Sequence, residues 1–183
     1  MNPHLSLVQP YPFEKLRQLF QGVTPNPARH AINLSIGEPK HPTPEFIKQE
    51  MRDHLGGLSS YPLTLGSEGL RGSIGAWLNQ RYGLSGINID TQVIPTLGSR
   101  EALFSLAQTI INSRKPNPVV VCPNPFYQIY EGAALLAGAA PYFLNTTPKN
   151  HFTMELDRLP AEVWDRTQIL FTCSPGNPTG KVT

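Results

Sequence analysis

Apolar residues recur along this chain with two different rhythms. In the first half the spacing is helical. Tyr11 to Gln21 sets Phe13, Leu16, Leu19 and Phe20 on one side, and Pro25 and Pro27 end the run. Thr43-Pro44-Glu45 opens a second helix with a cap residue, a proline at the first helical position and an acid; the pattern reaches about Leu55 and stops at Gly56-Gly57. A loop through Tyr61-Pro62 and Gly66 leads to a third helix, whose expected buried face is Leu70, Ile74, Trp77 and Leu78. Ile32 to Ile36 reads as a short extended segment, cut by Gly37 and Pro39.

From Val93 onward short apolar runs alternate with amphipathic stretches. Val93-Ile94 reads as a strand, followed by a glycine turn and a helix with Leu103, Leu106, Ala107, Ile110 and Ile111 on one face. Pro118 to Cys122 is apolar almost throughout. Tyr127 to Leu136 reads as a helix, Pro141 to Leu144 as a strand, Leu156 to Trp164 as a helix, and Gln168 to Cys173 as another buried strand. Strands that are apolar on both faces, alternating with helices, predict a three-layer α/β/α fold around a mostly parallel sheet. Ligands of such sheets bind beyond the carboxyl ends of the strands, so the loops after Ile94, Cys122 and Cys173 become the candidate site. No internal repeat is present.

Composition narrows the class. At 183 residues the length corresponds to one domain or slightly more, and 39% hydrophobic against 15% charged residues allows a real core and argues against disorder. A formal charge of +2, with no basic stripe, gives no reason to expect a nucleic-acid partner. Cys122 and Cys173 sit in or beside apolar runs and read as buried, reduced thiols, as in a cytoplasmic protein. The N-terminus has neither the basic nor the apolar region of a signal peptide, no apolar stretch approaches a membrane span, and no metal site is expected. Nineteen prolines, about twice the ordinary usage, fall between the periodic segments and shape rigid loops there.

Each of the three loops has chemistry and an ordinary structural use. In Thr96-Leu97-Gly98-Ser99-Arg100-Glu101, Gly98 can turn from strand to helix and Ser99 can cap it. Free amides, a hydroxyl and a guanidinium suit a phosphate, although an N-cap beside a solvated arginine has the same sequence. It is neither Gly-x-Gly-x-x-Gly nor a P-loop, which weighs against a nicotinamide dehydrogenase. In Pro123-Asn124-Pro125-Phe126-Tyr127, aromatic side chains reach a helix start, either to stack on a planar ring or simply to pack. In Ser174-Pro175-Gly176-Asn177-Pro178-Thr179-Gly180, Asn177 is either a rigidly held amide donor or a turn former. An anion cradle, an aromatic plate and an amide donor on successive strand ends suit a flat, phosphorylated aromatic cofactor.

At these residues the chain resembles the class I aminotransferases, pyridoxal-phosphate enzymes of fold type I. The resemblance rests on Ile36-Gly37-Glu38-Pro39, Tyr61-Pro62, Gly66 with Gly69-Leu70-Arg71, the Thr96–Leu103 segment, Pro123–Tyr130 and Ser174–Gly180, in the family's order and approximate spacing. Within the family, QPYPFEKLRQLFQGVTP, LSIGEPKHPTP and VCPNPFYQIYEGAALLAGA are similar to the N-succinyldiaminopimelate aminotransferases of bacterial lysine synthesis. The resemblance implies an N-terminal arm and small-domain segment over 1–42 and the first part of a large cofactor domain over 43–183. It implies that Ser99 and Arg100 hold the phosphate of pyridoxal 5'-phosphate, that Tyr127 stacks on the pyridine and that Asn177 bonds its phenolic oxygen. Gly37, Asn177, Lys40 and His41 are assigned to the substrate, and Tyr61 to the neighbouring subunit's phosphate in a homodimer. Amino-acid and 2-oxo-acid substrates follow. Close alternatives are aminotransferases for aspartate, acetylornithine or aromatic amino acids.

In this family the lysine that forms the Schiff base, the acid at the pyridine nitrogen and the arginine for the substrate carboxylate all lie beyond the Asn-Pro-Thr-Gly turn. None of Lys15, Lys40, Lys48, Lys115, Lys149 and Lys181 matches that lysine; Lys115 and Lys149 are expected on the far side of the sheet. No catalytic residue is therefore assigned. The chain reads as the N-terminal portion of such an enzyme, inactive by itself, or as a non-catalytic remnant.

Overall fold

A computed structural model describes residues 1–183. It contains six α-helices, α1 (Pro12–Leu19), α2 (Glu45–Asp53), α3 (Glu68–Tyr82), α4 (Ser99–Ile110), α5 (Ile129–Leu136) and α6 (Ala161–Trp164). The strands are β1 (Val119–Asn124), β2 (Ala140–Asn145) and β3 (Thr167–Leu170). Contacts divide the chain into two compact units, Met1–Leu16 with Thr96–Thr183, and Arg17–Pro95.

The first unit is built on a three-stranded parallel sheet of order β2-β1-β3. The central position of β1 follows from its sequence. Val119, Val120, Val121 and Cys122 are all buried, so the strand is covered on both faces, as its unbroken apolar run predicts. Val120 and Cys122 pack with Ala107 and Ile111 from α4 and its end, and with Tyr130, Ala133 and Ala134 of α5. Val119 and Val121 pack on the other face with Leu159 and Val163. Each buried valine contributes about 1.5–3 kcal/mol by leaving water. The result is the expected three-layer arrangement, with β2 and β3 as outer strands of the sheet.

The direction of α4 is set by its far end. Asn112, two residues past the helix, donates its backbone N–H to Gln168 Oε1 at 2.7 Å and accepts from Gln168 Nε2 at 3.2 Å. Since Gln168 is the second residue of β3, the carboxyl end of α4 lies at the amino edge of the sheet and its N-terminus at the carboxyl edge. The N-terminal arm lies along α5: Asn2 accepts from the His4 N–H at 2.9 Å and donates from Nδ2 to Leu136 O at 3.1 Å.

In the second unit, Ser67 caps α3 by accepting from Leu70 N at 3.2 Å, and Gly83 ends the helix in the left-handed conformation. The buried positions of α3 are Arg71 and Gly75, whereas Leu70 and Trp77 are about half exposed. Arg71 donates to Gly66 O at 2.9 Å and to Asp90 Oδ1 at 3.0 Å, so the buried charge is paired and ties the 61–67 loop to the segment after α3.

Several elements differ from expectation. Val93-Ile94 joins no sheet, because nothing in the chain offers it a hydrogen-bonded partner strand, although Val93 is buried. Leu156–Trp164 is divided by Pro160 into a 3-10 turn, Leu156–Arg158, and α6. The second helix starts at Glu45, and α5 starts at Ile129, leaving Tyr127 in the connecting loop. Cys122 is buried but Cys173 only half-buried; both are free thiols. No helix is long and apolar enough to cross a membrane.

Candidate functional site

The carboxyl edge of the sheet collects three corners of the first unit: the start of α4, the loop between β1 and α5, and the loop after β3. Each is shaped by local sequence. At the first, Gly98 takes the N-cap position with φ 117° and ψ 155°, a conformation open almost only to glycine. Ser99, expected to cap α4, is instead its first helical residue, and no side chain caps the helix. The first intrahelical bond runs from Ala102 N to Gly98 O at 3.2 Å, so the amides of Ser99, Arg100 and Glu101 precede the ladder and point outward with the positive end of the helix dipole. A methyl group built on Gly98 would come 3.0 Å from Glu101 Oε2, so a carboxylate lies beside this anion-binding end.

The structure brings Arg100 and Tyr127 into contact. Arg100 Nε donates to the Tyr127 hydroxyl at 2.9 Å, and its guanidinium carbon lies 5.9 Å from the ring centre. Hydrogen bonds to Tyr127 first, and to Tyr11 second, raise the Arg100 pKa above its ordinary value. Tyr127 meets Tyr130 edge-to-face at 5.9 Å, and Tyr130 stacks on Phe171 at 4.3 Å, just before the third corner. An aromatic row thus runs from the first corner to the third. Burial raises the Tyr130 pKa, and it pushes the Cys122 thiol up to about 12, with the charge of Glu131 adding to the effect.

The third corner folds on itself. Gly176 donates to Lys181 O and Gly180 donates to Gly176 O, each at 2.7 Å, which presents exposed Asn177 at the loop tip between Gly176 and the cis-linked Pro178. Asn177 lines a cavity of about 340 Å³ with Pro123, Thr146, Phe152, Cys173 and Lys181. Ser99, Arg100 and Tyr127 share the sheet edge with Asn177 but are not among the residues lining that cavity.

The other expected site residues belong to the second unit. Gly37, Lys40 and His41 lie in an exposed extended segment where Lys40 pairs with Glu38, and Tyr61 is fully exposed. Among the lysines, Lys115 follows α4 at the amino edge as expected, but Lys149 lies in the turn after β2, at the carboxyl edge, because the strand runs parallel to β1. Sequence reasoning missed one residue. Arg71 was quoted only as part of a motif, although an arginine inside a helical apolar face is itself a signal for a buried pair.

Residues 29–183 match the profile of the family described as aminotransferase class I and II. The chain belongs to that family. Class I and II aminotransferases depend on pyridoxal phosphate, and the chain has part of their fold type I α/β architecture. Among crystal structures, an aminotransferase from Neisseria meningitidis is 44% identical with a TM-score of 0.91, covering 100% of this chain and 46% of that one. The aminotransferase AspB of Helicobacter pylori is 35% identical with a TM-score of 0.85, over 96% of this chain and 45% of its own. An LL-diaminopimelate aminotransferase from Syntrophobacter fumaroxidans is 31% identical over 96% of this chain and 45% of that protein. The chain therefore spans about half the length of the curated relatives it matches.

Proposed function

We propose that the full-length protein is a pyridoxal-phosphate aminotransferase of lysine synthesis, moving an amino group between N-succinyl-LL-2,6-diaminopimelate and 2-oxoglutarate in a cytoplasmic homodimer. The observation that carries the reading is the convergence of three chemically matched corners on one sheet edge in an aminotransferase chain. The residues fit the cofactor: the α4 amides are uncapped, the Tyr127 ring stands beside the Arg100 side chain, and the Asn177 side chain lies at the same sheet edge. In this reading the amides and hydroxyl of Ser99 and the amide of Arg100 hold the phosphate at the helix terminus, while the Glu101 carboxylate turns away to admit it. Tyr127 packs on the ring plane and excludes water from one side. Asn177 donates to the phenolic oxygen and orients the substrate carboxylate, with Gly37 bordering the substrate and Lys40 and His41 reading its side chain. Tyr61, fully exposed here, reaches the phosphate of the second subunit. Bound pyridoxal phosphate supplies an electron sink for the substrate α-carbon.

A second reading, LL-diaminopimelate itself as the amino donor, is favoured by the similarity to the LL-diaminopimelate aminotransferase of Syntrophobacter fumaroxidans. Assay of the full-length protein with both donors decides. The first reading expects the succinylated donor to have the higher kcat/KM; a preference for the free diamino acid replaces it with the second, and turnover of neither removes both.

We further propose that residues 1–183 alone do not transaminate. Only Lys181 lines the cavity beside Asn177, and it does so from the loop that closes on Gly176. Incubation with stoichiometric pyridoxal phosphate followed by borohydride is expected to give only slow, scattered labelling of exposed lysines, with none modified stoichiometrically. A stoichiometric pyridoxyl group on Lys181 in preference to the other lysines would contradict this.

A further inference from the structure

The amino edge of the sheet, opposite the candidate site, carries a hollow that the cofactor reading leaves unused. Its volume is about 530 Å³, and residues entering all three strands border it: Pro118 before β1, Ala140 in β2 and Arg166 before β3. The six residues of β1 set it about 20 Å from the corners at the other edge. The charge of the lining is one-sided, with His4, Lys115 and Arg166 present and no acid among them. No carboxylate pairs with Lys115 or Arg166. Half-buried Arg166 is held by neutral oxygens: Nε donates to Glu162 O at 2.9 Å and one terminal nitrogen to Asn117 O at 3.4 Å, so its charge is oriented without being neutralised. Ser113 and His4 converge over Gly138. A methyl group built there would come 3.0 Å from Ser113 Cβ and 3.6 Å from His4 Nε2, and Gly138 has φ 83°, so glycine keeps the floor open. Leu7 and Leu135 supply an apolar wall.

We propose that this hollow binds a small phosphate monoester, its phosphate on Arg166, Lys115, His4 and Ser113 and its short apolar body against Leu7 and Leu135. A single carboxylate would neutralise one of the two cations and leave the other. A phosphate dianion matches both, and its several acceptor oxygens suit a guanidinium fork together with separate point donors. The N-terminal arm closes one side of the site through His4 and Leu7, and Asn2 fastens it by donating from Nδ2 to Leu136 O at 3.1 Å. The site shares no residue with the cofactor corners and stands independently of their assignment.

Calorimetric titration of the full-length protein with n-butyl phosphate and with inorganic phosphate tests the site. The protein is first loaded with pyridoxal phosphate and desalted, which keeps the α4 terminus occupied. Absorbance reports whether the cofactor has bound, so a failure of the cofactor reading is seen apart from a failure of the hollow. n-Butyl phosphate is expected to saturate one site per chain and to bind more tightly than inorganic phosphate. Lys115→Gln and Arg166→Gln are each expected to weaken it about three- to tenfold, and Arg166→Lys to recover part of the loss. Lys149→Gln removes the same charge at the opposite edge and is expected to change nothing. Near-ultraviolet circular dichroism checks each fold, and exposed Lys115 can be replaced without loss of packing even if the Arg166 variants unfold. The proposal is overturned if the wild type shows no saturable binding, if Lys115→Gln leaves the affinity unaltered, if Lys149→Gln weakens it as much, or if inorganic phosphate binds as tightly as the ester.

Discussion

Gly98 shows how single residues decide this site. Its backbone conformation excludes side chains, and a methyl there also meets Glu101, so Gly98→Ala is expected to destabilise the fold by about 1–3 kcal/mol, read as a lower urea midpoint. An unchanged midpoint would show that the corner is not strained. The sequence made the turn legible through Gly98 but misassigned the cap to Ser99, since a cap and a first helical residue differ only in backbone angles. Cys122 gives a pH dependence. In the folded chain its thiol holds its proton to about 12, while in the unfolded chain it ionises near the ordinary 9.0. Above pH 9 the unfolded state therefore binds fewer protons, and stability falls as pH rises toward 12. Cys122→Ala is expected to flatten that alkaline slope; an unaltered slope would contradict the burial of the thiol. In native protein at pH 8, a thiol reagent is expected to label half-buried Cys173 and to reach Cys122 only after denaturation.

At the scale of elements, what was legible depended on whether one element's own residues carried the information. β1 announced itself because four successive apolar residues leave no face for water. Val93-Ile94 did not behave as a strand, because a ladder needs a partner and two residues cannot show whether one is present. Leu156–Trp164 kept helical spacing, but Pro160 broke the backbone bonds that spacing presumes. The buried face of α3 was misread because Arg71 is paired with Gly66 and Asp90 through its terminal nitrogens, a pairing invisible to hydrophobic periodicity. Beyond its apolar packing, the end of α4 is tied to the sheet by the two bonds between Asn112 and Gln168. Gln168→Ala is expected to cost about 1–2 kcal/mol and to speed hydrogen exchange in the last turn of α4; exchange confined to β3 would assign the pair a lesser role.

For the whole molecule, the family was legible from ordered motifs, and the substrate was not, because the segment holding Gly37, Lys40 and His41 makes few contacts that fix its chemistry. Several apolar side chains of the second unit are largely exposed, among them Leu34 at 88%, Leu58 at 81% and Tyr61 at 100%. Exposed apolar side chains gain free energy by leaving water when molecules associate. Residues 1–183 alone are therefore expected to self-associate in light scattering at micromolar concentration; a monodisperse monomer would oppose that. The central claim is that one sheet edge seats a phosphorylated pyridine, and a crystal structure of the full-length protein with pyridoxal phosphate tests it most directly. The phosphate is expected on the Ser99 and Arg100 amides, the ring on Tyr127 and the phenolic oxygen on Asn177. A cofactor bound away from these three residues would contradict it.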